Sequence, residues 1–200
     1  KGHTNYTALN FAVNHGKGAV VDLLLKKNAN INARGDDGKN ALDIAIASHP
    51  EFVEPILMQL ATLPANEQAE CLLNVPGGPY PNVLFYAVAN KPALFDALVN
   101  SVLQQPTQAS TRAVCDAANE KGHTPLILAA QIGAHESIRK LLAFGLELES
   151  HDLNNSTALH WAANNGHVDA VTCLLEHGAL LEAKGHTNYT ALNFAVNHGK

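Results

Sequence analysis

The sequence is poor in the residues that build covalent or metal-bound scaffolds. Only three cysteines stand in 200 residues, Cys71, Cys115 and Cys173, and no two form a CxxC pair. That pattern excludes a disulfide framework and zinc-finger spacing, and it suits a reducing compartment. Charge is also scarce. Charged residues make up 16%, so Asn, His, Gln and Ser must supply much of the polar surface. Lys and Arg number 13 against 18 Asp and Glu, a net charge of −5. General phosphate-backbone binding needs a basic stripe, so nucleic acid is not an expected partner, although a local basic patch stays compatible. No apolar run approaches the ~20 residues that cross a bilayer, so no membrane partner is expected either. The opening residues Lys1-Gly2-His3-Thr4-Asn5 lack the apolar core of a signal peptide.

Apolar residues, by contrast, are plentiful. They make up 46% of the chain, a load that excludes global disorder and can fill one domain or a modest array. They are also periodic. Thr124-Pro125-Leu126-Ile127-Leu128-Ala129-Ala130 returns as Thr157-Ala158-Leu159-His160-Trp161-Ala162-Ala163. At the same interval it returns again as Thr190-Ala191-Leu192-Asn193-Phe194-Ala195-Val196. The same heptad stands at Thr7-Ala8-Leu9-Asn10-Phe11-Ala12-Val13 and, one such interval on, at Asn40-Ala41-Leu42-Asp43-Ile44-Ala45-Ile46. Each run has the helical spacing of small and apolar residues. Four of them end at Gly16, Gly133, Gly166 and Gly199, where a left-handed residue can cap a helix. A second apolar stretch comes after, such as Val20-Val21 with Leu23-Leu24-Leu25, or Val171 with Leu174-Leu175. One short helix pair cannot bury its own apolar face, so the pairs must stack.

These motifs resemble the ankyrin repeat family, whose mark is a Thr-Pro-Leu-His-x-Ala run at a 33-residue period. The best match runs from Asp152 to Ala183, with Gly166-His167, Leu174-Leu175 and Gly178-Ala179 in place. The resemblance implies an all-α, helical-repeat solenoid of L-shaped section with short hairpin-like fingers, Arg34-Gly35-Asp36-Asp37-Gly38 being one. The units fall near 1–34, 35–76, 77–118, 119–151 and 152–184, with a partial unit at 185–200, all in one array. Two units are expanded, since the heptad takes a longer step from Asn40 to Asn82 and again from Asn82 to Thr124. In each, the sequence predicts a longer second helix, a proline break at Pro64 or Pro106, and a short third helix with its first turn at that proline. Pro76-Gly77-Gly78-Pro79-Tyr80-Pro81 cannot form a regular finger and reads as a turn or loop.

Chemistry is harder to find. The 11 histidines form neither an HxxxH nor an HExxH pair on one helix, so no metal is expected. His160 takes the motif histidine position, where the family uses it to hydrogen-bond neighbouring loops. His167 and His177 flank helix ends, while His3, His123, His151 and His186 lie in or near fingers. Cys173 lies on a core helix face, and Cys71 and Cys115 on the apolar faces of the third helices, so all three should be buried and inert as nucleophiles. No glycine-rich phosphate loop with a following lysine exists, and the Asn-x-Ser/Thr triplets at Asn5, Asn154, Asn155 and Asn188 read as accidental. Phe11, Tyr86, Trp161 and Phe194 share one repeat position and are expected to pack between repeats, with Trp161 partly exposed. No catalytic residue, cofactor or enzymatic activity is expected.

The resemblance implies that a partner protein meets the finger tips and the exposed end of each first helix. Onto this sequence those positions map as Asp36, Asp37 and Lys39 in the second unit. In the fourth they are Glu120, Lys121, His123, Gln131 and Ile132, and in the fifth Leu153, Asn154, Ser156, Asn164 and Asn165. The last unit offers His186, Thr187, Tyr189, Asn197 and His198. Apolar anchors among amides suit protein recognition. Three function classes remain: a protein-binding scaffold, a self-associating structural array, or the adaptor region of a larger enzyme or effector. Long irregular insertions resemble ankyrin arrays that intracellular bacteria deliver into host cells. A cytoplasmic location is expected, in the host cytosol for a chain of that kind.

Residues 1–17, KGHTNYTALNFAVNHGK, recur without change as residues 184–200. The identity fits a long tandem duplication in a parent protein or an arrangement in which the two ends overlap. The last unit is expected to stop after its first helix and lack a capping repeat. Fraying of residues 190–200, or end-to-end contact between molecules, is the expected consequence.

Overall fold

A computed structural model describes residues 5–64, 67, 71, 83–90, 95, 117–197 and 199. Among these residues there are ten α-helices and no strand. The heptad motif marks six first helices. They are α1 (Ala8–Asn14), α3 (Ala41–Ser48), α5 (Val83–Asn90), α6 (Pro125–Ile132), α8 (Ala158–Asn165) and α10 (Ala191–Asn197). Each starts one residue after the Thr or Asn that opens its heptad, so the helices keep the standard and expanded steps of the motif. Second helices lie at α2 (Gly18–Lys26), α4 (Val53–Leu60), α7 (His135–Ala143) and α9 (Val168–Glu176). The chain is an all-α repeat fold.

Local chemistry explains where the first helices start and stop. The Thr7 hydroxyl accepts the Asn10 N–H at 3.2 Å, and the Thr124 hydroxyl accepts the Ile127 N–H at 3.3 Å. Both satisfy a donor that the helix leaves unpaired. Asn40 and Asp43 form a reciprocal capping box, with Asn40 Oδ1 accepting the Asp43 N–H at 2.9 Å and Asp43 Oδ2 accepting the Asn40 N–H at 3.0 Å. At the other end, Gly133 and Gly166 cap α6 and α8 in the left-handed region, with φ of 75° and 73°.

By its internal contacts the described chain divides into two compact units. The first contains α1 to α4, with α1 packed on α2 and α3, and α3 on α4. Its core includes Leu9, Val13, Val21, Leu25, Leu42, Ile44, Val53, Ile56 and Leu60, all buried. The second contains α6 to α10, with α8 packed on α6, α9 and α10, and α7 on α9. Leu126, Ile127, Ile138, Leu141, Leu159, Leu174 and the free thiol of Cys173 fill it. Cys71 is likewise buried, as its helix face predicts, and its sulfur accepts from Asn40 Nδ2 at 3.5 Å.

Some expectations need correction. The helix after α3 is not lengthened. α4 (8 residues) is shorter than α2 (9 residues), and a 3₁₀ turn at Pro50–Phe52 precedes it instead. The apolar stretch of α2 is only partly core. Val21 and Leu25, one helical turn apart, are buried, while Val20 and Leu23 are exposed. The shared aromatic position is not uniformly interior either: Tyr86 is buried and Trp161 and Phe194 half-buried, but Phe11 is 55% exposed and stacks on His15. What a repeat residue touches depends on its neighbouring repeat, which the motif does not encode. Pro64 precedes the helical residues Glu67 and Cys71, and its carbonyl accepts the Glu67 N–H at 3.0 Å. The readings at Pro106, Cys115 and Pro76 to Pro81 lie outside the described residues.

Leu174 has no exposed surface, whereas Leu153 is 77% exposed. Leu174→Ala should cost about 2–5 kcal/mol, by lost transfer and an unfilled cavity. Leu153→Ala should stay within about 0.5 kcal/mol of the parent. Equilibrium denaturation of both variants checks the assignment, and it is inverted if Leu153→Ala is the more damaging.

Candidate partner-binding site

Four fingers share one backbone pattern. In each, the first N–H bonds the fifth carbonyl, and the fourth N–H bonds the first carbonyl. These pairs are Gly35 with Lys39 and Gly38, Asn119 with His123 and Gly122, Asp152 with Ser156 and Asn155, and Gly185 with Tyr189 and Asn188. The fourth residue takes positive φ every time: Gly38 at 76°, Gly122 at 77°, Asn155 at 60° and Asn188 at 62°. Glycine and asparagine tolerate that region best, which is why those two residues alternate there. Thr187 joins Asn188 at φ 57°, a strained setting for a β-branched side chain.

Two of these fingers, 35–39 and 185–189, are tied to the preceding first helix by the fourth residue of its heptad. Asn10 donates from Nδ2 to the carbonyls of Ala33 at 3.0 Å and Lys39 at 3.5 Å. His160 spans the same sequence intervals, reaching the carbonyls of Ala183 at 3.2 Å and Tyr189 at 3.1 Å. Its Nδ1 accepts the Thr157 N–H at 3.1 Å, so Nε2 carries the hydrogen that these carbonyls receive. An amide and an imidazole thus do one job, that of holding the next finger. His160→Ala should cost about 1–3 kcal/mol by leaving a buried acceptor unpaired. His160→Asn, which restores the group used at Asn10, should lose clearly less. Denaturant midpoints of the two variants provide the check, and equal losses would mean that the donor is not what matters.

Asp43 occupies the same position with a group that cannot donate when ionised. It accepts from Arg34 Nη1 and from the Asn40 N–H, each at 3.0 Å, while its Oδ1 is buried without a partner among the described residues. Burial pushes its carboxyl from 3.8 up to about 6, and the Asn40 N–H and the Arg34 guanidinium only partly offset that. The folded state therefore holds the proton more tightly than the unfolded chain. Stability from this group is greatest below about pH 4 and falls as pH rises toward 6. Asp43→Asn keeps the acceptor and removes the buried charge. It should match or exceed the parent's melting temperature at pH 7 and flatten the pH dependence between 4 and 6. A large loss at pH 7 would show that the Arg34 pair outweighs the burial penalty.

The tips themselves are rigidly backed. The Leu153 N–H bonds the Lys121 carbonyl at 3.1 Å, and Asp152 Oδ1 accepts the N–H groups of Asn154 and Ser156 at 2.8 and 2.9 Å. Asn155 Nδ2 reaches the Lys184 carbonyl at 2.9 Å. The first-helix ends are joined in turn, since Asn165 Nδ2 donates to the Gln131 carbonyl at 2.8 Å and His167 Nε2 lies 3.1 Å from it.

Most of the expected contact residues reach the surface. Asp36, Asp37, Glu120, Lys121, Ile132, Leu153, Asn154, His186, Thr187, Tyr189 and Asn197 are exposed. Lys39, Gln131, Asn164 and Asn165 are half-buried. Asp37 is exposed but engaged, accepting the Tyr6 hydroxyl at 2.6 Å. Tyr6 is raised to about 12 by burial and by that bond. Burial also works to raise Asp37, but the Tyr6 hydroxyl and Lys39 outweigh it and hold the carboxyl below its ordinary value. His198 lies outside the described residues.

Two of the expected contact residues are interior. His123 and Ser156 are only 4% and 5% exposed. Both are fifth residues of fingers in the second unit, packed inward beside Asp152, whereas the fifth residues Lys39 and Tyr189 of the other two fingers are half-buried and exposed, respectively. His123 Nε2 lies 3.5 Å from Asp152 Oδ2, and its ring meets Trp161 edge-on at 5.0 Å. Trp161 Nε1 donates to the same Asp152 oxygen at 3.0 Å. Burial lowers the His123 pKa, with Asp152 opposing. This cluster joins two fingers to α8, and single motifs did not reveal it.

Among the described residues no group of three or more His, Cys, Asp or Glu side chains is placed to hold a metal ion. None of the described helices is long and apolar enough to cross a membrane. Burial pushes the Cys173 thiol up, away from the reactive thiolate.

Residues 57–185 and 133–200 match a family model described as ankyrin repeats (3 copies), and residues 2–45 match one described as ankyrin repeats (many copies). The chain belongs to the ankyrin repeat family. Among curated proteins, none matches it. Ankyrin repeats are generally protein-interaction modules and typically non-catalytic scaffolds. In ankyrin terms, the ties made by Asn10 and His160 hold the fingers, and the bare tips are what a partner can reach.

Proposed function

We propose that this ankyrin chain is a protein-binding scaffold whose partner meets, in the second unit, Glu120, Lys121, Leu153, Asn154, His186 and Tyr189 of the fingers with the helix ends at Ile132, Asn164 and Asn165. Asp36 and Asp37 are the corresponding tip of the first unit. One observation carries the reading. Leu153 is 77% exposed at a tip whose backbone is pinned from both sides by Lys121 and Asp152. A large apolar side chain on a fixed backbone loses little entropy when a partner covers it, which is how anchors gain affinity. The amides and charges around it supply adaptable hydrogen bonds. Three sparse cysteines without a CxxC pair suit a reducing cytoplasm as the place of action.

Affinity capture from cytosolic lysate tests the surface. The variant Leu153→Ala, Asn164→Ala, Tyr189→Ala should retain about a tenth or less of the captured partner, while its melting temperature stays within a few degrees of the parent. Equal capture by parent and variant removes the finger surface from the proposal.

A second reading, association of the chain with itself end to end, is supported by a separate observation. Val168, Leu180, Leu181, Leu192 and Val196 are all more than half exposed and lie at the α9–α10 end of their unit. Clustered apolar exposure of that kind favours association.

A further inference from the structure

In the second unit two fingers lie backbone to backbone. The Lys121 carbonyl accepts the Leu153 N–H at 3.1 Å. Gly122, at φ 77°, faces the same stretch so closely that a Cβ there would stand 2.7 Å from the Leu153 nitrogen and 3.1 Å from Asp152 Cα. Only a residue without a side chain permits that approach. His123 comes next, the buried fifth residue of its finger. Its Nε2 lies 3.5 Å from Asp152 Oδ2, and its ring meets Trp161 edge-on at 5.0 Å. One imidazole thus sits where finger 119–123, finger 152–156 and α8 converge. The fifth residues of the other described fingers are Lys39, Ser156 and Tyr189, so this junction alone among them is closed by an imidazole.

The junction is built for a neutral ring. Asp152 is the anion beside it, but its oxygens are already engaged. Oδ1 accepts the Asn154 and Ser156 N–H groups, and Oδ2 accepts Trp161 Nε1 at 3.0 Å. The other ring nitrogen of His123 bonds no described residue, so the second N–H of an imidazolium would go unmatched there. Asp152 and Lys121 are the charged groups that act on the ring, and α8 presents the uncharged Trp161. Burial holds the His123 pKa below its ordinary 6.5, Asp152 opposes it, and Lys121 of the same finger adds to it. The closed junction therefore takes up a proton less readily than an open one. Its stability is complete above about pH 6.5 and is lost as pH falls below that value.

We propose that His123 is a proton-operated latch: in mildly acidic solution it takes up a proton, leaves the junction and lets finger 119–123 part from finger 152–156. What opens is the backing of a tip. The Lys121 carbonyl pins Leu153 from the upstream side, so proton uptake frees the tip whose fixed backbone makes it an anchor. That consequence for binding rests on the protein-binding reading, whereas the latch itself needs no partner. At pH 5.5, one unit below the ordinary histidine value, the proton favours the open finger by at most about tenfold. The response is thus graded and confined to the two fingers. Helix α9, held by the fully buried Leu174, stays folded.

Trp161 is the only tryptophan of the chain, so its fluorescence reads this junction directly. In the full chain its emission should change between about pH 7.5 and 5, with a midpoint below 6.5, and recover on neutralisation. In His123→Gln, which keeps a donor but takes up no proton, the emission should stay flat over that range. If circular dichroism shows the glutamine variant unfolded, His123→Phe, which keeps a ring against Trp161, takes its place. Hydrogen exchange, expressed as protection factors, locates the opening. The Leu153 N–H should lose up to about tenfold protection at pH 5.5 in the parent and none in the variant, while amides around Leu174 in α9 keep theirs. A parent whose emission ignores pH, or a variant that responds as the parent does, would overturn the latch. So would emission that changes while Leu153 stays protected, or protection lost equally in α9.

Discussion

The fingers at 35–39 and 185–189 depend on one tie, the side chain at the fourth heptad position that reaches out of its own helix into the finger that follows. A repeat of two short helices has too little apolar surface to fold alone, so its stability comes from its neighbours. Asn10 and His160 convert that general need into a fixed geometry, each binding two carbonyls of the next finger at the same sequence intervals. These carbonyls are part-buried, so a donor supplied by the protein replaces the water they would otherwise need. With the finger anchored, its second and third residues have nowhere to go but solvent. The exposed tip is thus a by-product of the tie that holds its base.

Asp43 shows that the position can be filled by a group with the wrong hydrogen-bonding sense. A carboxylate cannot donate to carbonyls, so it draws Arg34 toward itself and caps its own helix through Asn40. One oxygen stays buried without a partner among the described residues, and burial raises the carboxyl to about 6. The position lies where a repeat of standard length gives way to an expanded one.

Much of the fold could be read from the sequence because it is written in local chemistry. Thr7 and Thr124 cap helices, Gly133 and Gly166 end them, and the steps between heptads fix where the next pair begins. Finger tips such as Leu153 and Glu120 were legible for the same reason. His123 and Ser156 were not, since both turn inward beside Asp152, a residue of the neighbouring finger for one and of its own for the other, and the motif does not encode that contact. The His123–Asp152–Trp161 cluster was hidden too, because its members come from two fingers and a helix. Val20, Leu23 and Phe11 look like core residues by composition. Their exposure depends on a neighbouring repeat, and hydrophobicity alone carries no information about neighbours.

The duplicated segment separates these two kinds of information cleanly. Helices α1 and α10 both form, with the same residues at the same length, so the helix and its boundaries are local properties. Burial is not, for Leu9 is covered and Leu192 is bare. Nor is the hydrogen bonding of the tie residue, for Asn10 points forward to a finger while Asn193 folds back onto Thr190. The exposed Asn193 accepts from Thr190 and so closes its own helix cap, which keeps the turn in shape. The helix is thus set by its own residues, and its surroundings decide what those residues touch.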